Sequence, residues 1–372
     1  MNRILFFIVL LVFAAEASSQ QLQDSLRQSG FENVLLYPSV EGEQLIFENR
    51  IYRNPGFSLI QAQQIKASEE KHQFYPLHHN NLVAGYSEDF QILEVDQELR
   101  SFYQEANKPF KHYRWQFRIQ PRLATRFGFY TDPFQTKFNI IVDTRIYFAR
   151  GLSLQTGLSI PVNNNYDNQG MKLRAAPSML HYFNQPWNDH FIAASAGSFY
   201  NDRYGLDLEY RYANLRSNWS FGLGAGLTGF YWLNGFEKYS TPMNELYLVA
   251  DTEWRTGIQN TSLKLSAGQF LYEDKGVRLD LIKQFAQAEI GLYASRTDIG
   301  TTGGFQFAFS LFPGSIIRGK KLELRTTEEY RYEYTYNNEQ PVAASYRIGM
   351  PRLSNVLRNY HQDWVRFLGE LR

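Results

Sequence analysis

The 372-residue sequence has no cysteine at all. That excludes disulfides as the staples of an exported chain, and it leaves no cysteine for lipid attachment behind a leader. Net charge is nearly absent, at +1 with histidines neutral. A polyanion-binding protein of the strongly basic kind is therefore not indicated. Beyond the first residues no segment approaches the ~18 apolar residues that a membrane helix needs. Catalytic signatures are missing too: there is no HExxH, no GxSxG, no Walker loop and no dinucleotide fingerprint. The seven histidines are scattered. His78 and His79 are adjacent, and on a strand they would point to opposite faces, a poor metal site. No cofactor, metal or nucleic-acid partner is expected, and no enzymatic activity.

What is present begins with a leader. Met1-Asn2-Arg3 is a positive start, Ile4 to Ala15 is a short apolar run, and Ala15-Glu16-Ala17 offers small residues for cleavage. The pattern is that of a secretory signal peptide over residues 1–19, cut after Ala17 or after Ser19. Residues 20–108 then have a helix-and-strand texture. Helices are expected over 21–30, 57–67 and 96–106. Strands are expected over 33–37 and 44–48, and around 82–86 and 91–95. This reads as a small α/β domain ending near Lys108-Pro109.

From residue 109 to about 350 the texture changes to long alternating segments. Trp115, Phe117, Ile119 and Leu123 oppose Arg114, Gln116, Arg118, Gln120 and Arg122. Leu206, Leu208, Tyr210 and Tyr212 oppose Asp207, Glu209 and Arg211. Val277, Leu279, Leu281 and Phe285 oppose Arg278, Asp280 and Gln284. A soluble sandwich would alternate as well. Three features favour lipid on the apolar side. The strands are often longer than ten residues, against about five or six in soluble proteins. Aromatic residues, 16% of the chain, cluster at strand ends, as at Phe230-Tyr231-Trp232 and Tyr330, Tyr332 and Tyr334. Finally, no strand is apolar on both faces, as the centre of a large soluble core requires. The expected fold is mainly β: an antiparallel transmembrane β-barrel of about 12–14 strands, with an even number preferred. In GGFQFAFSLF, residues 303–312, Phe305, Phe307 and Phe309 are expected to face lipid. Loops at 163–170, 185–189 and 234–244 are expected on the outer side, with a short turn at 274–276 on the inner side.

Residues 351–372 read as a C-terminal amphipathic helix, with Leu353, Val356, Leu357, Tyr360, Trp364 and Val365 on one stripe. It would cap the barrel mouth, pack on the N-terminal domain, or dock on a membrane or partner. Gly222, Gly224 and Gly226 lie on the lumen side of a strand and leave room inside. Lumen-facing charges are the candidate functional residues: Arg114, Arg118 and Arg122; Asp207, Glu209 and Arg211; Asp251, Glu253 and Arg255; Arg278 and Asp280. They either rigidify a wet interior or offer arginines to carboxylates of a passing glycan, with tyrosines stacking on sugar faces. In the N-terminal domain Glu48, Asn49, Tyr52 and Arg53 either fix a turn or dock a partner. His181 is the residue that an enzyme reading would invoke.

Several blocks resemble a known family. GVRLDLIKQF (276–285), EIGLYASRTDIG (289–300) and GGFQFAFSLF resemble the barrel core of the YjbH/GfcD family. FENRIYRNPGFSLIQA (47–62) is similar to that family's N-terminal module. The resemblance implies an outer-membrane protein of a Gram-negative envelope, with N-terminal domain and C-terminal helix in the periplasm. It would assist exopolysaccharide or capsule secretion alongside polysaccharide-export proteins, and possess one barrel where typical members carry a second barrel-like half. A general porin and an outer-membrane lipid-modifying enzyme are the alternative expectations.

Overall fold

A computed structural model describes residues 20–39, 42–66, 72–106, 113–127, 133–234, 237–312, 316–336 and 341–371. The expected leader and the boundary at Lys108-Pro109 lie outside the described residues, as do Phe129 and Tyr130.

The N-terminal unit starts with helix α1 (20–28), closed by Gly30 at φ +102°. Strands β1 (Glu32–Ser39) and β2 (Gly42–Glu48) form an antiparallel pair. Helix α2 (Pro55–Ile65) follows the turn expected from the sequence. Asn54 accepts from the Gly56 N–H at 3.0 Å, and Pro55 sits in the first turn, where its missing N–H costs nothing. The helix returns the chain to β3 (His72–His78), which pairs parallel to β2. The sequence reading missed β3. Short strands β4 (Asn81–Leu82), β5 (Gly85–Tyr86) and β6 (Ile92–Leu93) complete the sheet, and α3 (Gln97–Ala106) covers its other face.

The second unit is a large antiparallel sheet curled into a barrel. Its twelve long strands are β7 (Trp115–Phe127), β8 (Phe134–Ala149), β9 (Leu152–Asn164), β11 (Met179–Trp187), β12 (His190–Phe199), β13 (Arg203–Ala213), β14 (Trp219–Asn234), β16 (Glu245–Arg255), β17 (Thr261–Gln269), β18 (Lys275–Phe285), β19 (Ala288–Thr297) and β20 (Thr301–Phe309). Two-residue β10 (Arg174–Ala175) and four-residue β15 (Glu237–Ser240) are additions at one rim, and β21 (Ile317–Arg318) at the other.

A thirteenth strand comes in two pieces, β22 (Leu322–Thr326) and β23 (Tyr330–Thr335). β23 pairs antiparallel with β20, and β22 pairs parallel with β7, Leu322 opposite Trp115 through Thr326 opposite Ile119. The ring of pairings thereby returns to its start. Among the described residues the strand number is odd, not even. Directions alternate round the sheet, so a thirteenth strand runs the same way as the first and meets it in parallel.

That seam is short. Trp115 N–H donates to Lys321 O, and Ile119 O accepts from Thr327 N–H. The next residue of β7 turned to the seam is Pro121, which has no N–H to give. Beyond it β7 and β23 meet through side chains: Thr125 with the Tyr332 hydroxyl, and Phe127 edge-on to Tyr334 at 5.2 Å.

The barrel's burial is inverted relative to a soluble core. Leu206 and Leu208 are each 53% exposed, while Asp207 and Glu209 between them are 4% and 8%. The same alternation holds for Leu279 against Asp280 and for Leu322 and Leu324 against Glu323 and Arg325. Phe305, Phe307 and Phe309 share the outer face with their partners Tyr334, Tyr332 and Tyr330, the rings tilted or edge-on with centroids 5.2–5.4 Å apart.

Alternating strand directions fix which hairpins share an end. The loops at 163–170 and 234–244 lie at the end away from the N-terminal domain. The loop at 185–189, expected beside them, lies at the opposite end, where Arg100 of α3 donates to Gln185 and Asn188. The turn at 274–276 lies at the far end, with the Asp274 carboxylate accepting from Ala343 N–H at 2.7 Å.

Candidate functional site

The C-terminal segment fills the lumen. Beyond β23, residues 341–352 run through the interior without regular secondary structure before helix α4 (Leu353–Tyr360). Backbone bonds tie this segment to the wall: Leu271 N–H to Ala344 O, and Tyr200 N–H to Arg347 O. The expected single helix is two, α4 and α5 (Gln362–Glu370), broken at His361, whose ψ of 137° is extended. α4 stands in the lumen; α5 leaves it and packs on α2, where a Cβ on Gly56 would lie 2.7 Å from Leu368. Both packing expectations for this segment are met by one element pair. Leu353, Val356, Leu357, Tyr360 and Val365 join one apolar cluster with Leu45, Phe47 and Phe74 of the domain and Phe183 and Phe191 of the barrel rim.

Most of the sequence's candidate charges hold this plug or each other. Asp207 and Glu209 both accept from Arg352 at 2.7 Å, and Glu209 also accepts from Leu353 N–H at 2.9 Å, placing a carboxylate at the start of α4. Tyr346 donates to Asp207 at 2.6 Å. Glu253 takes both nitrogens of Arg358 in a bidentate pair at 2.6 and 2.9 Å, and Arg358 reaches Glu289 at 3.0 Å. Arg255 donates to Arg358 O and Gln284. Arg211 pairs with Asp251, Arg278 with Asp280 and Glu333, and Arg118 with Asp143 and Glu328. Buried ions are tolerated only when paired in this way.

Two candidate sets are corrected. Arg114 is not in the lumen: just before β7, its guanidinium donates to Arg27 O and its N–H to the Glu32 carboxylate. The proposed docking residues do not present an open surface. Glu48 is 2% exposed and accepts from Asn80 N–H and the Tyr113 hydroxyl. Asn49 turns inward to Ile51 N–H, and Tyr52 packs on Phe57. Arg53 pairs with Glu289 and Glu329, which joins the N-terminal domain to this chain's own barrel. Glu289, Glu328, Glu329 and Arg358 are central to the network. None of the four was singled out in the sequence: Arg358 lies within the C-terminal amphipathic segment, and the three glutamates carried no signal of their own.

Three histidines, His78, His79 and His181, meet at the domain–barrel junction. His79 (φ +47°) and Asn80 (φ +62°) form a turn after β3, which sets the rings of His78 and His79 4.6 Å apart, not on opposite faces. Burial lowers the pKa of His78 to about 3, and pushes His79 well below its ordinary value. His361 accepts from Asp363 N–H through Nδ1, and its Nε2 faces Ser217 O at 3.0 Å. That pattern needs a neutral ring, and burial lowers its pKa to about 3. His181 points inward and meets Ser195 Oγ at 2.9 Å, both almost fully buried. Among the described residues no carboxylate orients this pair, and no group of histidines and acids is arranged to hold a metal.

Beside the plug lie two lumen cavities. One of about 150 Å³ sits where the seam ladder lapses, between Gln120–Ala124 of β7 and 327–331. The other, about 190 Å³, lies across the plug, against Tyr247, Asp251, Lys264 and Arg278.

Fold and site thus define a class: a barrel with an apolar outside, an ion-paired inside and its own C-terminal segment as a plug. Residues 171–306 match the sequence model of the family described as exopolysaccharide biosynthesis protein YbjH. The matched span contains the 276–285 and 289–300 blocks on which the resemblance was read. No curated protein matches the chain. Among solved structures it is similar to a loop-deleted form of OmpT, an outer membrane protein of Vibrio cholerae. Identity is 8%, coverage 61% of this chain and 93% of that one, and the TM-score 0.30. That likeness is too loose to carry an argument.

Proposed function

We propose that this chain is an outer-membrane β-barrel protein that assists export or assembly of exopolysaccharide or capsule, without catalysing a reaction itself. The observation that carries the membrane reading is the inverted burial of the barrel: leucines and aromatics outside, ion pairs inside. In water such a surface would aggregate; in a bilayer it is what a strand wall requires. The family match supplies the exopolysaccharide connection. In this reading the N-terminal domain and the α5 end face the periplasm and meet polysaccharide-export partners, and the loops at 163–170 and 234–244 face outward. A free-running porin is the weaker alternative, because residues 341–360 occupy the lumen. The lipid-modifying enzyme is weaker still, because His181 and Ser195 are sealed inside the wall.

The test has two parts. Outer membranes are run on gels with and without boiling, and extracellular polysaccharide is measured in a deletion strain. A faster unboiled band and lost or retained-inside polysaccharide are expected. Recovery in the soluble fraction with no mobility shift would sink the barrel. Normal surface polysaccharide in the deletion strain would sink the export role.

A further inference from the structure

Among the described residues, the seam cavity contains two cations that form no ion pair of their own: Arg122, and Arg347, which feels Glu333 only from beyond pairing distance while that carboxylate is held by Arg278. Arg118 is paired with Asp143 and Glu328, Arg145 with Glu328, Arg331 with Glu289 and Glu329, and Arg352 with Asp207 and Glu209. Every carboxylate lining this cavity is thereby taken. Arg122 of β7 and Arg347 of the plug remain. Among the described residues neither guanidinium has a carboxylate or hydrogen-bond partner; both lie against one ring, Tyr200, at 5.1 and 5.8 Å from its centroid. Tyr200 is fixed in turn by its N–H to Arg347 O at 2.8 Å and by Gln120 donating to its hydroxyl at 3.1 Å. One guanidinium comes from the wall and one from the plug, so the space between them exists only while the plug is seated.

We propose that this cavity is a binding site for a carboxylate-bearing sugar, with Arg122 and Arg347 as the groups that hold the carboxylate. A guanidinium is matched to a carboxylate in charge and in its planar fork, and here two such groups, one half-buried and one exposed to the lumen, converge on one ring without an ion pair. The cavity, about 150 Å³, is below the ~300–1,000 Å³ of drug-sized ligand sites. It takes one acidic sugar unit rather than a length of chain. The choice of a sugar acid rests on the export reading above; the anion requirement rests on the arginines alone. Of the eleven lumen charges singled out in the sequence, Arg122 alone is left uncommitted by the fold.

The full-length protein in detergent micelles is titrated with a uronic-acid trimer, with maltotriose as the neutral control. The trimer binds the wild type and maltotriose does not. Arg122→Gln and Arg347→Gln each weaken the trimer by about tenfold or more, as loss of a charge-assisted contact requires. Retained heat-modifiable mobility shows that each variant is folded, and Arg122→Lys restores part of the binding. Equal trimer affinity in the wild type and the double variant overturns the site, and so does equal binding of maltotriose. The export reading fails separately, in the deletion strain. A protein that binds the trimer while its deletion leaves surface polysaccharide unchanged keeps the site and loses the export role.

Discussion

The N-terminal domain and the barrel are both built on β-sheets, yet they bury opposite kinds of side chain: the domain's central strands bury apolar residues on both faces, and the barrel's alternate. In the domain Leu45, Ile46, Phe47 and Phe74 are at most 1% exposed, the ordinary arrangement for water outside. In the barrel Leu206, Leu208, Leu279 and Leu292 are about half exposed, and Asp207, Arg211, Asp280 and Glu289 are buried. The difference lies in what each sheet closes against. The domain's sheet has helices on its faces to take up apolar side chains. The barrel's sheet curls back on itself, pairs its backbone round the ring except where the seam ladder lapses, and turns its apolar face outward. The plug reconciles the two: α4 offers Arg358 to the barrel interior and leucines to the domain, on one helix.

The largest effect should come from removing the ion that joins plug to wall. Arg358→Ala leaves Glu253 buried without its ion pair, while Glu289 keeps Arg53 and Arg331, at a cost of about 3–5 kcal/mol. In planar bilayers the variant should conduct far more than the wild type, as the plug leaves; unchanged low conductance would show that the plug is not held by this network. A smaller effect tests the inverted faces directly. Leu45→Ala in the domain should cost about 2–5 kcal/mol, because it opens a cavity. Leu208→Ala on the barrel exterior leaves no closed cavity if lipid surrounds it, so it should cost only the transfer part, about 2 kcal/mol for three carbons at ~0.8 kcal/mol each, the bottom of the range for Leu45. Urea unfolding from bilayers measures both, and equal losses would break the comparison. The smallest effect per step is that of pH on the junction. In the undocked chain the imidazoles titrate near 6.5; in the docked one His78 and His361 do so only at about 3. Docking is therefore fully stabilised above pH 6.5 and loses about 1.4 kcal/mol per histidine for each unit down to about 3. Limited proteolysis should leave α5 intact at pH 7.5 and cut it near pH 4.5. His361→Gln, which keeps a neutral donor and acceptor, should flatten that dependence.

Much of this was legible in the sequence. The period of two in 206–212 and 277–285 identified the inner and outer faces correctly, because alternation is a local property of a strand. Asn54-Pro55 marked the start of α2 for the same kind of reason. The candidate charges from Arg118 to Asp280 do line the lumen. What the sequence did not reveal is their use. Whether Asp207 faces water, a ligand or Arg352 depends on residues some 145 positions apart in the chain, and no local pattern reports that pairing. The docking expectation for Arg53 failed on the same ground: its partners, Glu289 and Glu329, are brought to it only by the closed barrel.

The sequence by itself determined the strand wall and which of its faces is apolar, since both follow from side chains two residues apart. It also determined that a helical segment ends the chain, since that follows from spacings of three and four. Only the tertiary structure decided the parallel thirteenth strand, the plug in the lumen and the two arginines left without a carboxylate. Those depend on which distant segments meet when the sheet curls shut, and on how few carboxylates remain once the buried ions have found their partners.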